Sequence, residues 1–293
     1  MLYGKRSSSG QSRSIDSKIF RPLSRNSALL SFAILISFLS IIFSLGYYFL
    51  MLSPQEFTQQ REVKAYENDI RKLTILDEWT ITKLYWSNNL RVAGISIIFF
   101  PSYFGTALQI MSGRSMGMAI AYFERIAGWQ AALAFSAQLF VHGIFEFTGI
   151  LLIAAGTMRL AWRFWEKIGK IHDFKKFLAR LRFSPKSEIA DVGVILILGL
   201  LLIFIAGPVE AYISPTAGVL FFLEPVLALL FLATVCVFYL SIFLYGFEDM
   251  KTAMKRVAGD TRQILKRRLT SRNAPVVIFI LAMVLYLSRY FLR

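Results

Sequence analysis

The sequence predicts an all-α polytopic membrane protein, a transmembrane helix bundle of six to seven spans. Three observations carry this. The 293 residues are 56% hydrophobic, with a mean hydropathy of +0.56, too apolar for a soluble domain of this length. The apolar residues gather into runs of about twenty, the length a helix needs to cross a hydrocarbon core of about 30 Å. The net charge of +15 is concentrated between those runs.

The chain opens on a basic tail, 1–27, with Lys5, Arg6, Arg13, Lys18, Arg21 and Arg25 against Asp16. Residues 28–293 form the transmembrane domain. Ala28–Met51 is its first span, too long for a signal-peptide core and without a small-residue cleavage pattern, so it reads as a retained anchor. Ser53-Pro54-Gln55-Glu56 is a capping box with proline at the first helical position. Ile70, Leu73, Leu76 and Leu84, with Trp79 and Trp86, then predict an external amphipathic helix lying on the surface or over the bundle.

Leu90–Met111 is the next apolar run, with Asn88 and Asn89 as its helix start. Ser115–Val141 is apolar overall but carries Glu124, Arg125 and a break at Gly128. It reads either as a full crossing or as a re-entrant hairpin. Gly143–Trp162 follows, and the two are expected to meet in a tight turn at 141–143, where Gly143 supplies backbone freedom. Segment 163–189 mixes basic residues with Phe164, Trp165, Ile168, Ile171, Phe174, Phe177, Leu178 and Leu181 at helical spacing, suited to an anionic lipid surface. Ala190–Ile213, Val219–Tyr245 (interrupted by Pro225) and Pro275–Leu292 complete the spans. The single Cys236 lies inside a span and can form no internal disulfide.

Charge orients the spans. Segments 163–189 and 247–274 each hold eight Lys or Arg against three acidic residues, whereas 52–88 holds five basic and six acidic. The positive-inside rule predicts a cytoplasmic N-terminus, cytoplasmic 163–189 and 247–274, and an external 52–88, in a multi-pass cell-membrane protein. An even number of crossings must then separate the tail from 163–189, which favours counting 115–141 as a crossing and gives seven. Basic patches that border spans have this topological cause, so no nucleic-acid partner is expected. No glycine-rich phosphate loop is present, which excludes P-loop ATP hydrolysis.

His142 and Glu146 stand at i and i+4 inside an apolar stretch, and Glu210 ends another. Ionisable side chains cost at least ~2.5 kcal/mol each at mid-bilayer, so the three are expected to face the bundle interior as a polar core. They admit a structural reading, as interhelical hydrogen bonds, and a permease reading, as groups handling protons or substrate. A metal reading would use all three with water as the fourth ligand. The other histidine, His172, lies in the cytoplasmic segment, so ligands are scarce; no metal, cofactor or catalytic residue is assigned.

The ordered motifs Ser87-Asn88-Asn89-Leu90-Arg91-Val92-Ala93, Gly113 to Gly117, His142-Gly143-Ile144-Phe145-Glu146 and Val209-Glu210-Ala211-Tyr212-Ile213-Ser214-Pro215 resemble the stage II sporulation protein M family. That family shows an Asn-Asn helix start, a Pro-His-Gly-x-x-Glu motif and an Ile-Glu-Ala-x-Ile-Thr-Pro ending. The resemblance covers about 55–217. Val141 stands where the family has proline, and Ser214 where it has threonine; with Pro215, that hydroxyl is expected to cap the next helix. The resemblance implies a non-enzymatic membrane component of a protein complex, since the naming member works with a cell-wall lytic enzyme. A transporter or lipid-handling permease is the alternative, and an intramembrane metal-dependent hydrolase stands behind it. Anionic lipids and protein partners are the expected company.

Overall fold

The computed structural model describes residues 22–73, 75–100, 104–168 and 186–268, and among these it contains helices and no strand. Helix α1 is Ser27–Gly46, extended by a π-helical turn, Tyr47–Met51. Two short helices follow, α2 (Pro54–Gln59) and α3 (Arg61–Leu73), then α4 (Glu78–Ile98) and the long α5 (Phe104–Ile168). Helix α6 (Lys186–Pro208) passes through a π-helical turn, Val209–Ile213, into α7 (Ser214–Leu223), and α8 is Pro225–Arg268. Among the described residues, four helices are long and apolar enough to cross a membrane: Ser27–Met51, Gly105–Phe164, Ala190–Leu223 and Pro225–Lys255. The span expected at Pro275–Leu292 lies outside the described residues, as does most of 163–189.

Helix α5 is two antiparallel arms, not one rod. Gly128 has φ +82° and ψ 177°, the one non-helical residue inside it. In a straight helix Phe123 and Phe135 would be about 18 Å apart; their rings instead stack at 4.0 Å between centroids. The chain therefore reverses at Gly128, where a side chain would be strained by the positive φ. This corrects the turn expected at 141–143, because helical backbone runs unbroken through Val141, His142 and Gly143. Glycine there is buried in a helix rather than spent on a turn.

The start expected at Asn88 and Asn89 is also displaced. Helix α4 begins ten residues earlier, where the Asp77 side chain accepts from the Thr80 backbone N–H at 2.9 Å. Leu90–Met111 is accordingly not one helix: Ile98 ends α4, just before Pro101, and Met111 belongs to the first arm of α5. The capping box is present as read, with Ser53 Oγ accepting from the Glu56 N–H and the Glu56 carboxylate accepting from the Ser53 N–H. Those bonds from Ser53 hold Glu56 below its ordinary 4.5, and the bonds from Thr80 hold Asp77 below its ordinary 3.8. A depressed carboxyl stabilises above its unfolded value and stops doing so as pH falls through its folded one. Hydrogen-exchange protection is thus expected to hold down to about pH 4.5 in the first turn of α2 and about pH 3.8 in that of α4, and to fade below those values.

The second arm of α5 is the hub. Every residue from Leu151 to Met158 is buried, the mark of a helix surrounded on all sides. It packs with α1 and α8 through Ala33, Ile34, Phe147, Val235 and Tyr239, and with α4 and α6 through Ala93, Ile153 and Ile203. The first arm lies against α1 where Gly113 and Gly117 admit Ser40 and Ser44. Their hydroxyls donate to the carbonyls of Ile110 and Arg114 at 2.6 and 2.8 Å. Small residues and hydroxyl bonds are how helices associate where lipid removes the hydrophobic drive.

Each end of the bundle is tied by polar bonds. At one, Arg25 meets Asp191 at 2.6 Å, Arg159 donates to the Arg25 carbonyl at 3.0 Å, and Ser27 donates to Asp249 at 2.8 Å. At the other, Gln130 donates to the Phe222 carbonyl at 2.8 Å. There too, Arg125 donates to the Tyr48 and Leu52 carbonyls at 2.6 and 2.8 Å and lies 4.7 Å from the Phe57 ring. Carbonyls at helix ends lack intrahelical partners, so this guanidinium closes α1 and seats α2 at once. Arg125→Gln is expected to cost about 2 kcal/mol, within the range for charged hydrogen bonds, read as a lower unfolding midpoint in detergent.

Candidate polar intramembrane site

Three elements converge on one point. The second arm of α5 presents His142 and Glu146 a turn apart; the π-helical turn after α6 presents Glu210, and α7 opens with Ser214. Helix α4 supplies Tyr85 and Asn89. About 27 Å of helix separates Glu146 from Gly128 and about 20 Å separates it from Arg159, so the site is far from both ends.

The π-helical turn has a local cause. Pro208 has no N–H, so the Phe204 carbonyl loses its helical partner. Trp86 of α4 repairs this: its indole N–H donates to that carbonyl at 2.7 Å, and its ring stacks on Phe204 at 4.4 Å. The same bond fixes α4 beside Glu210. Ser214 then donates back to the Val209 carbonyl at 3.2 Å, five residues earlier.

His142 is the centre. Its side chain is 8% exposed, with Nε2 lying 3.5 Å from Glu210 Oε1 and 3.9 Å from Glu146 Oε2. Its Nδ1 lies 3.0 Å from Ser214 Oγ. With the Ser214 proton given to the Val209 carbonyl, that oxygen can accept from Nδ1–H, the tautomer that leaves Nε2 facing the carboxyls. Tyr85 and Asn89 are within hydrogen-bonding reach of Glu210 and Glu146 respectively. Below the site, Thr148 and the buried Tyr239 of α8 meet at 3.1 Å.

His142, Glu146 and Glu210 are thus brought together. Asn88 and Asn89 are not a helix start: Asn89 is buried in mid-helix at the site, and Asn88 donates to it at 3.3 Å. Ser214 makes no cap, since its hydroxyl serves His142 and the Val209 carbonyl; Pro215 does fall in the first turn of α7. Tyr85 escaped the sequence reading, although its i, i+4 spacing to Asn89 was the available signal.

Chemically, one imidazole nitrogen and two carboxyls can exchange a proton or bind a cation. The ligand atoms of the three residues lie within 4.8 Å of one another, a spacing a metal ion could occupy.

No curated protein and no solved structure matches the chain. The family model described as stage II sporulation protein M matches residues 28–215, from the start of α1 to Pro215. The match therefore takes in α1 as well as the motif-bearing α4, α5 and α6. Every residue of the polar site falls within it, and it spans well over half the chain. On that extent of agreement, the chain belongs to the stage II sporulation protein M family.

Proposed function

We propose that this membrane protein is a non-enzymatic, multi-pass component of a cell-membrane protein complex, engaging partners through a cytoplasmic arm. The observation that carries this is the length of α8. Its 44 residues make about 66 Å of helix, against a hydrocarbon core of about 30 Å. The excess lies in the 247–268 portion, which carries Lys251, Lys255, Arg256, Arg262, Lys266, Arg267 and Arg268. A rigid basic helix standing off the membrane offers a partner both reach and charge, and anionic lipid headgroups share that attraction.

The orientation proposed is a cytoplasmic N-terminus and an external 52–77. The grouping of Arg25, Arg159, Asp191 and Asp249 at one end supports it, since the three basic segments then share a side. Six crossings follow, from α1, α4, the two arms of α5, α6 with α7, and α8, and Pro275–Leu292 would be the seventh. Helix α4 is the least apolar of them because its polar face is turned to the site.

A photoreactive residue at Met254, which is exposed on the arm, tests the reading in living cells. A discrete protein adduct is expected there and not at Leu240, also exposed but within the span. No protein adduct anywhere from Lys251 to Arg268 would refute it. The permease reading is favoured by the carboxyls at mid-membrane depth; pH-coupled flux in proteoliposomes that is abolished by Glu210→Gln would establish it instead.

A further inference from the structure

We infer that His142, Glu146 and Glu210 form a binding site for a divalent first-row transition-metal cation, zinc being the first probe. The contacts themselves argue for it. His142 Nε2 approaches the two carboxyl oxygens at 3.5 and 3.9 Å, beyond the 2.7–3.2 Å of a good hydrogen bond. Ligands around a tetrahedral zinc, each about 2.0–2.1 Å from the ion, sit ~3.3 Å from one another. The two histidine–carboxyl separations are close to that spacing, and all three ligand atoms lie within 4.8 Å of one another, so a small inward shift of the carboxyls lets one ion take all three.

A second observation points the same way. Over nine-tenths of the His142 side chain is buried, with Nε2 turned toward the two carboxyls, and Glu210 Oε2 is buried with no partner among the described residues. A buried polar atom left in that condition costs about 1–3 kcal/mol. A cation held with His142 Nε2 would satisfy that oxygen.

The surroundings have the form that metal ligands require. Metal-bound histidines generally donate their other N–H to a fixed acceptor, which sets the tautomer. Here Nδ1–H meets Ser214 Oγ, itself fixed by the Val209 carbonyl, and Nε2 is left as the ligand. Asn89 and Tyr85 hold the two carboxyls from α4. The i, i+4 spacing of His142 and Glu146 lets one helix face supply two ligands, as paired ligands on a helix do elsewhere. Glu210 closes the set from a second helix, leaving a fourth position for water or a partner's group. Mixed imidazole and carboxylate donors suit zinc, iron and manganese, and make a purely oxygen-seeking ion such as calcium a poorer fit.

The test is metal content of the full-length protein in detergent, after incubation with zinc chloride and desalting, by plasma mass spectrometry. One equivalent per chain is expected, falling at least tenfold in Glu210→Gln. Cobalt(II) loaded in place of zinc should give visible absorption bands that Glu210→Gln abolishes, a readout that does not depend on any activity. Ser214→Ala, which touches no ligand atom, should weaken zinc affinity about 10–100-fold, the usual effect of losing a group that orients a ligand. If Glu210→Gln is not monodisperse, chelator stripping and zinc reloading of the wild type replaces it, with the equivalent lost and then regained. Wild-type protein holding under a tenth of an equivalent would overturn the inference. So would a monodisperse Glu210→Gln that retains the full equivalent. Neither result bears on the cross-link at Met254, so the two proposals stand or fall separately.

Discussion

Replacing Gly199 by isoleucine is expected to break the contact between α5 and α6 and to cost about 3 kcal/mol or more, the upper end for overpacking. A Cβ built on Gly199 would stand 2.8 Å from the Gly149 carbonyl oxygen, and one built on Gly149 would stand 2.7 Å from the Gly199 carbonyl oxygen. Each helix presses its backbone against the other at this point. No flexible side-chain end is available to move aside, so the helices themselves must separate. Glu146 is one turn from Gly149, and Glu210 is carried by the continuation of α6, so the separation also pulls the polar site apart. Gly193→Ile provides the control on the same helix, because nothing lies within 4 Å of a Cβ there. The expected result is a large loss of unfolding midpoint in detergent for Gly199→Ile and little change for Gly193→Ile. Equal effects would mean that the crossing is not where these glycines put it.

His142→Leu is expected to cost about 2–3 kcal/mol, more than the ~0.6 kcal/mol average of an interhelical hydrogen bond in a membrane. The excess arises because leucine removes the polar group between two buried carboxyls and the imidazole contact of Ser214 Oγ; unsatisfied buried groups cost about 1–3 kcal/mol. Adding Glu146→Leu removes one of the stranded carboxyls, so the double variant should lose less than the sum of the two single losses. It should still fall below the parent, since Glu210 and Ser214 have both lost the imidazole. Thermal unfolding of the two singles and the double in one detergent measures this directly. Full stability in the double variant would mean that the site contributes nothing to the fold.

Some of this was legible in the residues, and the failures have causes. The Ser53–Glu56 capping box could be read outright because both partners lie within four residues. The convergence of His142, Glu146 and Glu210 was anticipated from the cost of ionisable groups in hydrocarbon, a constraint that needs no knowledge of packing. The turn was misplaced because Gly143 beside His142 looks like an interruption, whereas a buried glycine within a helix gives the same letters. Gly128 was noticed as a break, and the signals that it ends a span were at hand: Glu124 and Arg125 before it and Trp129 after it, charge and an aromatic of the kind found at interfaces. Helix α4 was started too late because hydropathy counts Tyr85, Asn88 and Asn89 against a span. Tyr85 and Asn89 face the site rather than lipid, and hydropathy has no direction. Only the repair of the Phe204 carbonyl by Trp86 was beyond reach, since it joins residues far apart in sequence.

The membrane arrangement that underlies both the arm and the polar site is tested most directly by thiol labelling in intact cells. In a Cys236→Ala background, single substitutions Gln60→Cys, Ala127→Cys and Met254→Cys are exposed to a membrane-impermeant maleimide, before and after permeabilisation. Ala127 adjoins the reversal at Gly128 and is exposed there, so it reports the side on which α5 turns. The expected result is labelling of Gln60→Cys and Ala127→Cys in intact cells, with Met254→Cys reacting only after permeabilisation. Labelling of Met254→Cys in intact cells, with Ala127→Cys silent until permeabilisation, would contradict it.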